Sequence, residues 1–113
     1  MTHEFESLRP ALAYLAPDEI STIEAAYEFS RNAHEGQFRK SGEPYISHPL
    51  AVAGLLASWH LDAQTLTAAL LHDVVEDTPT TASEIKTRFG NAVALLVEGV
   101  SKLDKLAFES EQQ

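Results

Sequence analysis

The sequence predicts an all-α single domain, and three observations carry that expectation. Apolar residues recur at three- and four-residue spacing, as in Val93, Leu96, Val97, Val100 and Leu103, which lines them along one face of a helix. No run of alternating apolar and polar residues marks a strand, and no internal repeat or linker divides the chain. A length of 113 residues with 44% apolar content suits one compact core. About six helices are expected.

The first is expected between Thr2 and Leu15, where Phe5, Leu8, Leu12 and Leu15 share a face and Pro10 marks a first turn or a kink. Ala16-Pro17-Asp18-Glu19 opens the second, with proline early and two carboxylates at the positive end of the helix dipole. That helix runs to about Glu35, with Ile20, Ile23, Tyr27, Ser30 and His34 on one stripe and Gly36 as its stop. From Gly36 to Ser47 the periodicity lapses around Gly42 and Pro44, so an ordered loop is expected. His48-Pro49 restarts the helical pattern through Leu50, Ala53, Leu56 and Ala57, and Trp59 is expected to close that helix against the core. Asp62 is the expected N-cap of a fourth helix running unbroken through Asp77, and Thr78-Pro79 ends it. Thr81-Ala82-Ser83-Glu84 reads as a capping box for a short helix to Phe89, stopped by Gly90. Asn91 is expected to cap the last helix, which Gly99 weakens and which frays from Glu109 onward.

Composition narrows the function classes. The absence of cysteine excludes disulfides and thiolate metal sites, so any metal must be held by imidazole and carboxylate. A net charge of −9 argues against nucleic-acid polymers, which require a basic surface, but leaves room for a small phosphorylated ligand. No window reaches the roughly 20 apolar residues of a membrane span, and Met1-Thr2-His3-Glu4 lacks a basic start followed by an apolar stretch. A cytoplasmic protein without a membrane partner is expected.

The chemistry concentrates in His72-Asp73-Val74-Val75-Glu76-Asp77, directly after the apolar run Ala68-Ala69-Leu70-Leu71. In a continuous helix His72 and Glu76 share one face and Asp73 and Asp77 another. Three carboxylates at the negative end of a helix call for a compensating cation, and imidazole is the commonest nitrogen ligand for one. A metal-dependent hydrolytic centre follows. His48 starts the preceding helix, and antiparallel packing would bring it beside His72 and Asp73 as a third ligand; a plain polar helix cap explains it equally well. His3, His34 and His60 are expected to stand apart from this cluster. Arg39-Lys40-Ser41 is either a solvated loop tip or a grip on phosphate and a nucleobase.

A longer pattern carries a resemblance. Ala33-His34-Glu35-Gly36-Gln37-Phe38-Arg39-Lys40-Ser41-Gly42-Glu43-Pro44-Tyr45, then His48-Pro49, then Leu70-Leu71-His72-Asp73-Val74-Val75-Glu76-Asp77-Thr78, resembles the HD-type hydrolase domain of RelA/SpoT-homologue proteins. The likeness continues through Phe89-Gly90 and Val97-Glu98-Gly99-Val100-Ser101-Lys102-Leu103, covering nearly all of the chain beyond its first fifteen residues. The ending Ser101-Lys102-Leu103-Asp104-Lys105-Leu106 looks most like the SpoT branch. What the resemblance implies is an all-helical HD fold that binds Mn2+ and hydrolyses guanosine tetra- or pentaphosphate (ppGpp or pppGpp) at its 3′ position, in the stringent response. By motif position it implies His48, His72 and Asp73 as metal ligands and Glu76 and Asp77 as catalytic carboxylates. Arg39, Lys40 and Ser41 correspond to the guanine-binding loop.

The chain departs from the family in one respect. The later Asp-Arg-Leu-His-Asn-like or Asp-Arg-Thr-His-Asn-like motif, which supplies a further metal-binding aspartate and a nucleotide-contacting asparagine, is not present. Residues 1–113 are therefore expected to form the N-terminal part of an HD-type hydrolase domain, to bind manganese weakly, to turn over poorly and to be capable of self-association. Two other readings stand beside this one: an HD phosphohydrolase of another nucleotide, which the Arg39–Tyr45 loop argues against, and a non-catalytic ligand-sensing or interaction fragment.

Overall fold

Helix α4 (Ala63–Leu71) is the apolar axis of the molecule. Leu66, Thr67, Ala68, Ala69, Leu70 and Leu71 are all buried, and a helix that is apolar on every side is stable only when other helices cover it. Three do so: α2 (Pro17–Ala33), α3 (Ser47–Ser58) and α7 (Asn91–Gln112). Each fully buried leucine contributes about 1.5–3 kcal/mol, so this axis is the main reason the surrounding helices hold their places. Before it lies α1 (His3–Leu8), which packs on α3; after it come α5 (Val74–Asp77) and α6 (Ala82–Phe89), the latter packed on α7. This computed structural model describes residues 3–112, apart from the side chains of residues 3, 4, 76, 101 and 103–112. The described residues are all-α, with one isolated antiparallel bridge between Phe38 and Pro44. None of these helices is long and apolar enough to cross a membrane.

The expected first helix is split. Pro10 has no N–H to continue the ladder, and Arg9–Leu12 forms a 3-10 turn after α1. Phe5, Leu8 and Leu12 still point inward, with the Phe5 ring 5.4 Å from that of Tyr27 on α2. Helix α2 begins as expected: Pro17 occupies its first turn and the Glu19 carboxylate accepts from the Ala16 N–H at 3.0 Å. Its stripe of Ile23, Tyr27, Ser30 and His34 is buried.

Trp59 corrects an expectation. It ends α3 at 63% exposure rather than closing it against the core, because the core beneath α3 is already filled by Ala53 and Ala57. The following turn is set by His60, whose φ of 56° reverses the chain and whose ring stacks on Tyr14 at 4.4 Å. Asp62 then caps α4, accepting from the Thr65 N–H at 3.3 Å and the Thr65 hydroxyl at 2.6 Å.

The expected continuous helix from Asp62 to Asp77 is broken at His72-Asp73, giving α4 and the single turn α5. The His72 side chain is one cause. Its Nδ1 lies 2.8 Å from the Ala69 carbonyl, the group that would accept from the Asp73 N–H in an unbroken helix. Helical bonding resumes with Asp77 N–H to the Asp73 carbonyl at 2.9 Å. Downstream, the capping box is half realised: Thr81 Oγ1 accepts from the Glu84 N–H at 3.2 Å, while Glu84 faces Arg88 at 3.7 Å. Gly90, at φ 96°, turns the chain into α7 and accepts from the Ala94 N–H at 3.1 Å; Asn91 is the first residue of the helix and not its cap.

Candidate metal centre

The break between α4 and α5 faces the start of α3. His48, in the first turn of α3, and His72-Asp73, at the end of α4, each offer a ligand atom, and those atoms lie within 4.8 Å of one another. The antiparallel packing of α3 and α4 across the Trp59–Asp62 connection brings them together. His72 and Asp73 are buried and His48 is half-buried.

The orientation of each group follows from its neighbours. A carbonyl can only accept, so the 2.8 Å contact with Ala69 puts the proton of neutral His72 on Nδ1 and turns Nε2 toward Asp73 Oδ2, 3.2 Å away. The same Asp73 oxygen accepts from the Tyr45 hydroxyl at 2.7 Å. Burial, and then the hydrogen bond to Asp73, push the Tyr45 phenol well above its usual range, so it remains a protonated donor. A buried carboxylate beside two imidazoles and a phenol fits a divalent cation: two nitrogens and one oxygen, with no thiolate.

The Gly36–Ser47 loop folds over this centre as an ordered turn. Arg39 N–H donates to the Glu43 carbonyl at 2.8 Å, Gly42 N–H to the Arg39 carbonyl at 2.8 Å and Tyr45 N–H to the Gln37 carbonyl at 3.0 Å. Gly36 at φ 84° and Gly42 at φ 92° take turn conformations that strain other residues. Arg39, Lys40 and Ser41 stand exposed at its tip and line an open cleft of about 660 Å³ together with Phe38, Glu43 and Tyr45. Tyr45 thus belongs both to the cleft and to the Asp73 site. The base of the loop is tied to α5, where the Gln37 amide donates to the Asp77 carbonyl at 3.2 Å.

Asp77 presents a partly exposed carboxylate on this side of α5. Glu76 lies on the same turn, but its side chain is outside the described residues. With the helix broken at His72-Asp73, the face-sharing expected for one continuous helix no longer defines the site; the turn from Asp73 to Asp77 does. His34 is a further correction. Instead of standing apart, it is buried at the end of α2 with its ring stacked on Tyr45 at 4.6 Å and its Nε2 3.8 Å from Asp77 Oδ2. His60 remains remote, packed on Tyr14. His3 lies outside the residues whose side chains are described.

Comparison with known proteins agrees in one direction. A model of the HD domain matches residues 26–113. The chain is 56% identical over 110 residues to the bifunctional (p)ppGpp synthase/hydrolase SpoT of Escherichia coli, across 96% of this chain and 16% of that protein. It is 61% identical over 84 residues to the guanosine-3′,5′-bis(diphosphate) 3′-pyrophosphohydrolase of Haemophilus influenzae, across 74% of this chain and 12% of that one. A GTP pyrophosphokinase of Streptomyces coelicolor is 52% identical over 94 residues, 83% of this chain and 11% of its own length. The chain therefore spans well under a fifth of the curated relatives it matches, at 11–16% of their length.

Proposed function

The chain belongs to the HD-domain family, in its RelA/SpoT-homologue group, and from that membership we propose that it hydrolyses the 3′-pyrophosphate of guanosine tetra- or pentaphosphate. The products are pyrophosphate and GDP or GTP. The observation that carries this reading is the convergence of His48, His72 and Asp73 within 4.8 Å, beside a cleft lined by Arg39, Lys40 and Ser41. We read residues 1–113 as part of the hydrolase domain.

His48, His72 and Asp73 would hold the metal; their mixed nitrogen and oxygen donors accept a divalent cation, and the resemblance to RelA/SpoT-homologue hydrolases points among these to Mn2+. When bound, that ion lowers the pKa of a coordinated water and offsets phosphoryl charge. The chain's own groups do the rest. Tyr45 holds Asp73 in place through its 2.7 Å hydrogen bond. Arg39 and Lys40 draw a polyanionic nucleotide to an otherwise acidic molecule, and Ser41 adds a hydroxyl donor. Asp77, or Glu76 beside it, takes the proton of the attacking water as the new O–P bond forms and the P–O3′ bond breaks. The ribose 3′ oxygen leaves with a proton from solvent.

The substrate is a free guanine nucleotide, with no nucleic-acid polymer and no membrane involved, and the setting is the cytoplasm. The test is a comparison of substrates. With Mn2+, the chain, or a form extended to the length of its relatives, is expected to release pyrophosphate from ppGpp and leave GTP, dGTP and ATP intact. Turnover of those other nucleotides at equal rate contradicts the assignment.

A further inference from the structure

His34 is a titratable side chain, buried beside the site, that the proposed chemistry does not use. It is 3% exposed. Nδ1 lies 3.0 Å from the Ser30 carbonyl and 3.3 Å from the Ser30 hydroxyl. The carbonyl is the closer partner and can only accept, so it places the proton of neutral His34 on Nδ1. That leaves Nε2 with a lone pair. Nε2 is buried, has no hydrogen-bond partner among the described residues and sits 3.8 Å from Asp77 Oδ2. A lone pair facing a carboxylate oxygen is unfavourable until a proton stands between them.

Resting on the hydrolase reading above, we propose that His34 is a positioning residue acting through Asp77: it receives the proton that Asp77 removes from the attacking water. The water O–H bond breaks and the proton moves to Asp77 as the O–P bond forms. It then passes to His34 Nε2, restoring the Asp77 carboxylate beside an imidazolium whose two N–H groups face Ser30 and Asp77. After turnover His34 returns the proton to solvent. A small rotation of Asp77 closes the 3.8 Å gap to hydrogen-bond range.

The surroundings define which groups the ring can exchange a proton with. Asp77 faces the ring from α5, while Tyr45 covers one ring face from the loop and stays protonated with its hydroxyl committed to Asp73. From its own element Tyr27, Arg31 and Glu35 line the same cavity of about 300 Å³. Arg31 is held by Glu28 at 3.0 Å, which neutralises the cation nearest in sequence. Among the described side chains, Asp77 is therefore the carboxylate placed to exchange a proton with Nε2.

Two measurements decide the proposal. Nitrogen NMR of the histidine-labelled chain near neutral pH is expected to show His34 as the Nδ1–H tautomer; an Nε2–H tautomer overturns the relay whatever the enzyme does. In the second, the substitutions are made in the manganese-loaded form that turns over. H34F keeps the ring stack on Tyr45 and removes both nitrogens. It is expected to lower kcat at least 10-fold, with KM within about twofold, and to leave Mn2+ affinity and the thermal midpoint unchanged. H34Q, which cannot take the proton, gives no rescue, and H34F adds no further loss in a D77N background. An unchanged kcat, a change in KM alone, or equal losses with and without Asp77 overturn the proposal. Absence of hydrolase activity from both the wild-type chain and its extended form overturns the hydrolase reading itself, which separates the two failures.

Discussion

Tyr45 joins more parts of the candidate site than any other described side chain. Its hydroxyl holds Asp73, its ring stacks on His34 and meets His48 edge-on at 6.1 Å, and it lines the basic cleft. Outer partners of metal ligands typically tune affinity by 10–100-fold. Tyr45→Phe is accordingly expected to weaken Mn2+ binding about 10-fold in a calorimetric titration while leaving helix content unchanged; an unchanged affinity would show that Asp73 does not need this hydrogen bond. Because the folded phenol titrates above its usual range, its stabilising contribution is fully present below the ordinary tyrosine pKa and is lost only as pH rises through the folded value. Residue type and spacing raised His72 and Asp73 as metal-ligand candidates and left His48 open between ligand and helix cap, while the inward-facing stripe carrying His34 was legible in the sequence. The meeting of His34 with Asp77 was not, because it depends on the path of a loop between residues more than forty positions apart. Tyr45 sits within the recognised pattern, but nothing in its spacing announces a hydrogen bond to Asp73.

The helices show where local signals decide structure and where they yield to packing. Asp62 behaves as its type and position require: it caps α4, and hydrogen bonds from Thr65 hold its carboxyl below the usual range. Asp62→Ala is expected to cost about 1 kcal/mol in denaturant unfolding at neutral pH. A depressed folded pKa means the contribution is present above the unfolded value and vanishes as pH falls through the folded one, so the difference between variant and wild type should shrink on acidification. A constant difference would assign the cost to something other than the ionised cap. The splitting of the motif helix is the contrary case. Apolar periodicity runs straight through Leu70, Leu71, Val74 and Val75, and only the His72 ring on the Ala69 carbonyl reveals the break. Trp59 likewise reads as core by composition alone, yet it stands exposed at the end of α3 while Ala53 and Ala57 carry that helix's buried face.

At the scale of the molecule, the all-α architecture and its packing around α4 follow from hydrophobic pattern, whereas the convergence of α3, the loop and α5 on one centre is a property of the assembled bundle. On the hydrolase reading, that convergence makes the site a structural staple as well as a chemical one. A cation held by α3 and α4 together stabilises the folded state by mass action, by about 2.7 kcal/mol at a hundredfold excess over Kd. Mn2+ should therefore raise the thermal midpoint of the wild-type chain and leave that of His72→Ala unmoved; equal shifts in both would place the ion elsewhere. The measurement that reaches the central claim most directly is pyrophosphate release from ppGpp, followed in this chain and in a form extended to the length of its relatives, with and without Mn2+. The expected result is metal-dependent release of pyrophosphate and GDP in equal amounts, lost in His72→Ala. Release in neither form, or release that survives His72→Ala, would contradict it.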